Sequence, residues 1–372
     1  MSRLNWVLNG FITTDLYAPY VVAKDADYYN DLRNKYSIIY DKAKNAGADS
    51  ESLRIIEEYR DSICNAILLY YEGRITAANS KVNELVKHSI DNRFALSSMV
   101  NSDAFRGVKG TELQLFRGRI CKGGITYAAK DMLHIPFSLR GITKNNRFSI
   151  SGLPCIYIGN TSYVCWLELG CPIDGELAIS PIIADDNIKI FNLAVMNRDF
   201  FCLSDLDDNA VHSWIKLLML MMATSYRVTE ENRFFHSEYI ISQAIMLACH
   251  ELGIDGVAYY SDRTEDHVFA SVAINIALLA SYKYGQEYSD ICKHLKVGDS
   301  FNYGFYKQLG IVERSKHHEY PLRCLRGGVP ANLGSYARQY EYANTEFCEF
   351  DRFVFGEWKK ETIEFGNALQ VL

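Results

Sequence analysis

From Asp25 onward apolar residues fall at three- and four-residue steps, with Tyr28, Leu32, Tyr36 and Ile39 on one side, which predicts a helix. The run from Asn45 to Ser50 reads as a stop followed by a fresh N-cap. A second helix then carries Leu53, Ile56, Tyr59, Ile63, Ile67 and Tyr70 as one stripe and ends near Gly73. A third, Thr76 to about His88, presents Val82, Leu85 and Val86. Together with the arm at 1–24, these form an all-helical N-terminal unit, residues 1–105. The Arg-then-His spacing of helical ribonucleases is missing from it, so it reads as a packing or dimerisation module and a route to a homo-oligomer.

Past a polar linker at 90–111 the period changes to two. Glu112–Ile120 alternates like a strand, Cys155–Ile158 is a short apolar strand stopped by Gly159 and Asn160, and Thr161-Ser162 can cap a helical turn that carries Glu168. Pro172–Gly175 turns the chain into two more strands, Leu177–Ile183 and Ile188–Phe191. Trp214–Thr224 is apolar throughout and predicts a buried helix. A further helix spans Tyr239–Leu252 with Gly253 as its C-terminal stop, and a strand follows over Ile254–Ser261. Val268–Leu279 predicts another buried element, strand or helix, with Asn275 inside it. Phe347–Phe355 alternates aromatics with polar residues and predicts a strand finishing the sheet. Helices first, then strands and helices without regular alternation, give the α+β class rather than a doubly wound sheet.

A chain of 372 residues with 48% apolar content can build a real core and predicts two units, or one with extensions. The net charge of −6 argues against a nonspecific nucleic-acid binder, which needs a clustered cationic surface. The ten cysteines form no Cys-x-x-Cys pair, the start Met1–Trp6 lacks a signal peptide's apolar run, and no apolar run reaches the roughly 20 residues of a membrane span. A cytoplasmic protein with reduced thiols and no membrane contact is expected. No Gly-x-Gly-x-x-Gly follows a strand, which argues against a dinucleotide-binding dehydrogenase, and Ser261 has no nearby histidine for a hydrolase triad. Asp185-Asp186-Asn187 and Lys316–Glu319 read as turn and surface chemistry rather than metal ligands, since no partner stands at zinc spacing.

The candidate chemistry lies between Arg147 and Glu168. Arg147, Tyr157 and Glu168 follow one another at ten- and eleven-residue intervals on one turn–strand–helix unit. An arginine, a tyrosine and a lone carboxylate could hold an anion, a flat ring and a developing positive charge. Arg117 and Arg119, at i and i+2, share one strand face, either as a solvated edge or as a phosphate fork in a cleft.

These residues resemble the core of the RES-domain family. The likeness rests on Phe116-Arg117, Arg147, Gly152 with Pro154, Tyr157-Ile158-Gly159 and Glu168, then Tyr239 to Gln243 and Asp255 to Ser261. It spans about residues 112–280 and departs from the family at Gly159-Asn160, where alanine is common, and in the long extensions. The resemblance implies an NAD-processing domain at 106–285 on a fold related to ADP-ribosyltransferases, with a C-terminal extension, 286–372, completing it. It implies a toxin or antiphage effector that consumes NAD by hydrolysis or phosphorolysis and is held by an antitoxin. Glu168 would stabilise the cationic ribose, Tyr157 pack on the ring, Arg117 and Arg147 meet phosphate with Arg119 nearby, and Ser261 contact substrate. NAD is then a substrate, inorganic phosphate a possible co-substrate, and no cofactor or metal is needed. ADP-ribose transfer to a macromolecule and a non-catalytic binding module are the alternatives.

Overall fold

The computed structural model describes residues 18–22, 27–90, 96–98, 114–185, 187–194, 208–229, 233–263, 273–309, 342 and 345–358. Most of the arm at 1–24, most of the linker, Asp186 and Lys316–Glu319 lie outside them. Three helices come first: α1 (Tyr28–Asn45), α2 (Ser50–Tyr71) and α3 (Ile75–Ile90). Asp27 and Asp49 cap the first two, each carboxylate accepting the backbone N–H three residues on. Gly47, at φ 85°, makes the left-handed turn between them.

The strands are β1 (Tyr20–Val21), β2 (Leu96–Ser98), β3 (Gln114–Ile120), β4 (Cys155–Gly159), β5 (Leu177–Ala184), β6 (Lys189–Asn192), β7 (Tyr226–Arg227), β8 (Gly256–Tyr260), β9 (Ile274–Leu279), β10 (Leu295–Val297) and β11 (Phe301–Asn302). β1 and β7 form a small parallel pair. The others make a nine-stranded sheet in the order β10-β5-β3-β4-β9-β8-β6-β2, with β11 also on β5. Its pairs are antiparallel except β6 with β8. Between strands lie α4 (Ser162–Glu168), α5 (Asp208–Thr224) and α6 (Ile240–Glu251), and then α7 (Tyr303–Gln308) and α8 (Glu346–Phe353). The class is α+β. No helix of the described residues is long and apolar enough to cross a membrane.

The sheet divides two apolar layers by its period of two. β9 sends Ala277 and Leu279 to the layer shared with the helices, and Ile274, Ile276 and Leu278 to the opposite one. The helical layer is continuous: Tyr36, Ile56, Tyr59 and Ile63 of α1 and α2 pack with Trp214 and Met219 of α5 and Ile245 of α6. Tyrosine hydroxyls buried there find carbonyls, Tyr28 donating to Ala223 at 2.6 Å and Tyr36 to Met219 at 2.7 Å. Each such bond contributes about 1 kcal/mol net, and leaving its carbonyl unpaired would cost more.

Two expectations change. Phe347–Phe355 is not a strand; Thr345 caps a helix over Glu346–Phe353. Phe347, Phe350 and Phe353 also recur every three residues, and they pack on Tyr303 and Tyr306 of α7 and Phe301. The helix expected from Tyr239 starts at Ile240 and is entered through a 3-10 turn, Ser237–Tyr239.

Candidate active site

A cavity of about 510 Å³ opens on the helical side of the sheet, where β3, β4, α4, β8 and β9 converge. Arg147, Tyr157, Glu168 and Arg117 all line it. Arg119 and Ser261 do not.

Glu168 is the last residue of α4, a helix whose placement is set by two close fits. Thr161, extended at φ −145°, accepts Val164 N–H and starts the helix. Gly159 lets it approach β4: a Cβ there would lie 2.4 Å from Val164 Cγ1 and 2.9 Å from Cys165 Sγ. The alanine common in the resembled family would clash here. Gly170, at φ 81°, ends the helix directly after the site.

The Glu168 carboxylate is held on one side. Its Oε1 accepts from Ser261 Oγ and from Asn275 Nδ2, both at 2.6 Å, while Oε2 takes no hydrogen bond from the described residues. Burial, and then the Asp262 charge, raise its pKa above the ordinary carboxylate value, while Arg147, Ser261 and Asn275 act in the opposite direction. Ser261, buried, also accepts Arg263 N–H at 3.1 Å. It reaches the site as the residue that orients Glu168.

Arg147 is engaged by the protein. It donates to Tyr260 O at 2.6 Å and Thr224 O at 3.3 Å, pairs with Asp262 at 3.5 Å, and stacks 4.4 Å over the Tyr259 ring. Burial works to lower its pKa, but Asp262, Tyr259 and Glu168 outweigh it and hold the pKa above the ordinary value. Tyr157 donates its hydroxyl to Phe148 O at 3.0 Å, and burial pushes its pKa well up. Arg117 differs: its Nη1 is buried without a hydrogen-bond partner among the described residues. Burial and the neighbouring Arg119 charge pull its guanidinium down to about 9, so it stays cationic at neutral pH with no counter-charge among the described residues. Arg119 turns toward Leu133 O, at 3.1 Å, and the Tyr127 ring. The two arginines share a strand without forming a fork in the cavity.

Asp262, Asn275, Arg227 and His236 also belong to the site, and sequence reasoning did not assign them. Only Asn275 carried a signal, an amide within an apolar strand. The cavity can therefore hold an anion near Arg117 and a cationic or ring-bearing group near Glu168 Oε2. Among the described residues no cluster fit to bind a metal ion is found.

No family model matches the chain. A Bacillus subtilis (strain 168) protein named "Putative toxin YopC" is 29% identical over 216 residues, 53% of this chain and 46% of that protein. The chain thus spans about half the length of this curated relative. Among solved structures, a chain from the crystal structure of the M. tuberculosis MbcT-MbcA toxin-antitoxin complex superposes with a TM-score of 0.32 at 12% identity, covering 61% of this chain and 98% of that one.

Proposed function

We propose that this chain is an NAD-degrading toxin of the RES type, cleaving the nicotinamide–ribose bond by hydrolysis or phosphorolysis. The observation that carries the reading is Glu168, fixed through Oε1 and open at Oε2, in one cavity with an Arg117 guanidinium that lacks a counter-charge among the described residues. In the reaction the bond from the ribose anomeric carbon to the pyridinium nitrogen breaks, and its electron pair neutralises the departing ring. The ribose becomes oxocarbenium-like, and Glu168 Oε2 stabilises that charge through a water-poor wall, where fixed charges act most strongly. An oxygen of water or inorganic phosphate then bonds to the anomeric carbon; with water, one proton is released. Tyr157 packs on the ring. Because Arg147 is already spent on Asp262 and two carbonyls, Arg117 and Lys144 take the pyrophosphate or the incoming phosphate.

A toxin role accords with the name of the B. subtilis relative. An inhibitory protein partner belongs to the same proposal, on the strength of the family resemblance. The test is incubation of the full chain with NAD, with and without phosphate, with chromatographic separation of products. Nicotinamide with ADP-ribose marks hydrolysis; a phosphate-dependent ADP-ribose phosphate marks phosphorolysis; label on a macromolecule marks transfer instead. Glu168→Ala is expected to lose at least about a hundredfold in rate, and full activity in that variant sinks the site assignment.

A further inference from the structure

We propose that Asp262 is a positioning residue for this reaction: by engaging Arg147 it keeps that guanidinium off Glu168, leaving Oε2 as the open negative charge of the cavity. The inference rests on the reading of Glu168 given above. Arg147 and two carboxylates, Glu168 and Asp262, line the same cavity, as do Arg117, Arg227 and Arg263, and among the described residues Arg147 forms an ion pair with Asp262 and not with Glu168. Arg147 Nη1 lies 3.5 Å from Asp262 Oδ2, with the two side chains 8% and 12% exposed. No ion pair joins Arg147 to Glu168 among the described residues.

Three successive residues at the end of β8 enforce this division. Tyr260 accepts Arg147 Nη2–H through its carbonyl, Ser261 donates to Glu168, and Asp262 takes the remaining charge of Arg147. The Tyr259 ring beneath the guanidinium and the Thr224 carbonyl fix it further. A buried guanidinium stripped of its carboxylate is strongly unfavourable and takes the nearest alternative. Here the alternative is Glu168. A neutralised Glu168 would meet a developing ribose cation with no net charge.

Among the described residues, the groups that act on Glu168 are Arg147, Asp262, Tyr239 and Tyr259, the Cys165 thiol on its own helix, and the neutral donors Ser261 and Asn275; Arg117, Arg227, Arg263, Lys144 and His236 line the same cavity. Burial and Asp262 push its protonation to higher pH, and Arg147 opposes them. Removing the Asp262 charge removes a raising influence, and a released Arg147 adds a lowering one. Both changes move Glu168 ionisation to lower pH.

The experiment uses the full chain as wild type, Asp262→Asn and Asp262→Glu, with two readouts. The first is kcat and KM for NAD as a function of pH. Asp262→Asn is expected to lose about ten- to hundredfold in kcat with KM within about twofold, and its acid limb should lie at lower pH. The second is the Glu168 carboxyl titration followed by carbon-13 NMR, which needs no substrate. It should move to lower pH in Asp262→Asn and stay at the wild-type position in Asp262→Glu, which retains the ion pair. A Glu168 titration unmoved in Asp262→Asn, or moved as far in Asp262→Glu, overturns the proposal even where NAD is not cleaved. Absence of NAD cleavage by the wild type, with the titration shifting as expected, overturns the functional reading instead and leaves the Arg147–Asp262 division of charge standing.

Discussion

Arg117 is the residue whose energetics are least balanced. Its Nη1 is buried and has no hydrogen-bond partner among the described residues, and burial beside Arg119 depresses its pKa to about 9. A charge left in this condition lowers stability in return for an open anion site. Arg117→Met, close in length and apolar, should therefore leave the ligand-free protein as stable as wild type or stabilise it by about 1–2 kcal/mol. It should also abolish any rise in melting temperature on adding inorganic phosphate. Thermal melts of both proteins with and without phosphate decide it, and an equal phosphate response in the two would remove Arg117 from the anion site.

At the scale of elements, α4 matters most because Glu168 sits at its end, and α8 holds its beginning. Asp351 of α8 accepts Ser162 N–H at 3.1 Å and the Tyr342 hydroxyl at 2.7 Å. Burial dominates over these donors and Arg352 and raises the Asp351 carboxyl from its ordinary 3.8 to about 7. The folded chain thus binds a proton there that the unfolded chain has released. That contribution is complete below the ordinary value of 3.8 and is lost as pH rises to about 7. Asp351→Asn keeps an acceptor for Ser162 N–H and cannot ionise. Urea unfolding at pH 5 and pH 8, values chosen to span roughly that window, should show Asp351→Asn losing less stability between them than wild type does. The same pH loss in both proteins would show that Asp351 is not the group responsible.

For the whole molecule, the helical layer joins the N-terminal helices to the sheet-bearing part without a break. Tyr28, Tyr36, Ile56 and Tyr59 cover Trp214, Met219 and Ile245, and the Tyr28 and Tyr36 hydroxyls bond to α5 carbonyls. The fragment 106–372 would expose that surface, with about 1.5–3 kcal/mol lost per large side chain uncovered. It should melt broadly, bind a hydrophobic dye and lose NAD-directed activity, as read by circular dichroism, dye fluorescence and product analysis. A cooperative melt with unchanged kinetics would instead make helices α1–α3 a separable module with no part in the activity of the site.

Local rules were enough for much of this. Helices α1–α3 are written in the apolar steps at Tyr28, Leu32 and Tyr36 and in the caps, because those interactions lie within a turn of each other. The unit Cys155–Glu168 was legible for the same reason: a short strand, a glycine stop and a threonine cap act over neighbouring residues. Phe347–Phe355 misled because aromatics spaced by three and by two fit both periods over so short a run, and α7 decides between them. The division of labour among charges was decided only by tertiary structure. Arg147 and Asp262 are 115 residues apart in sequence, and Glu168 and Asn275 are 107. Electrostatics and burial depend on distance in space, which the spacing of residues along the chain does not encode.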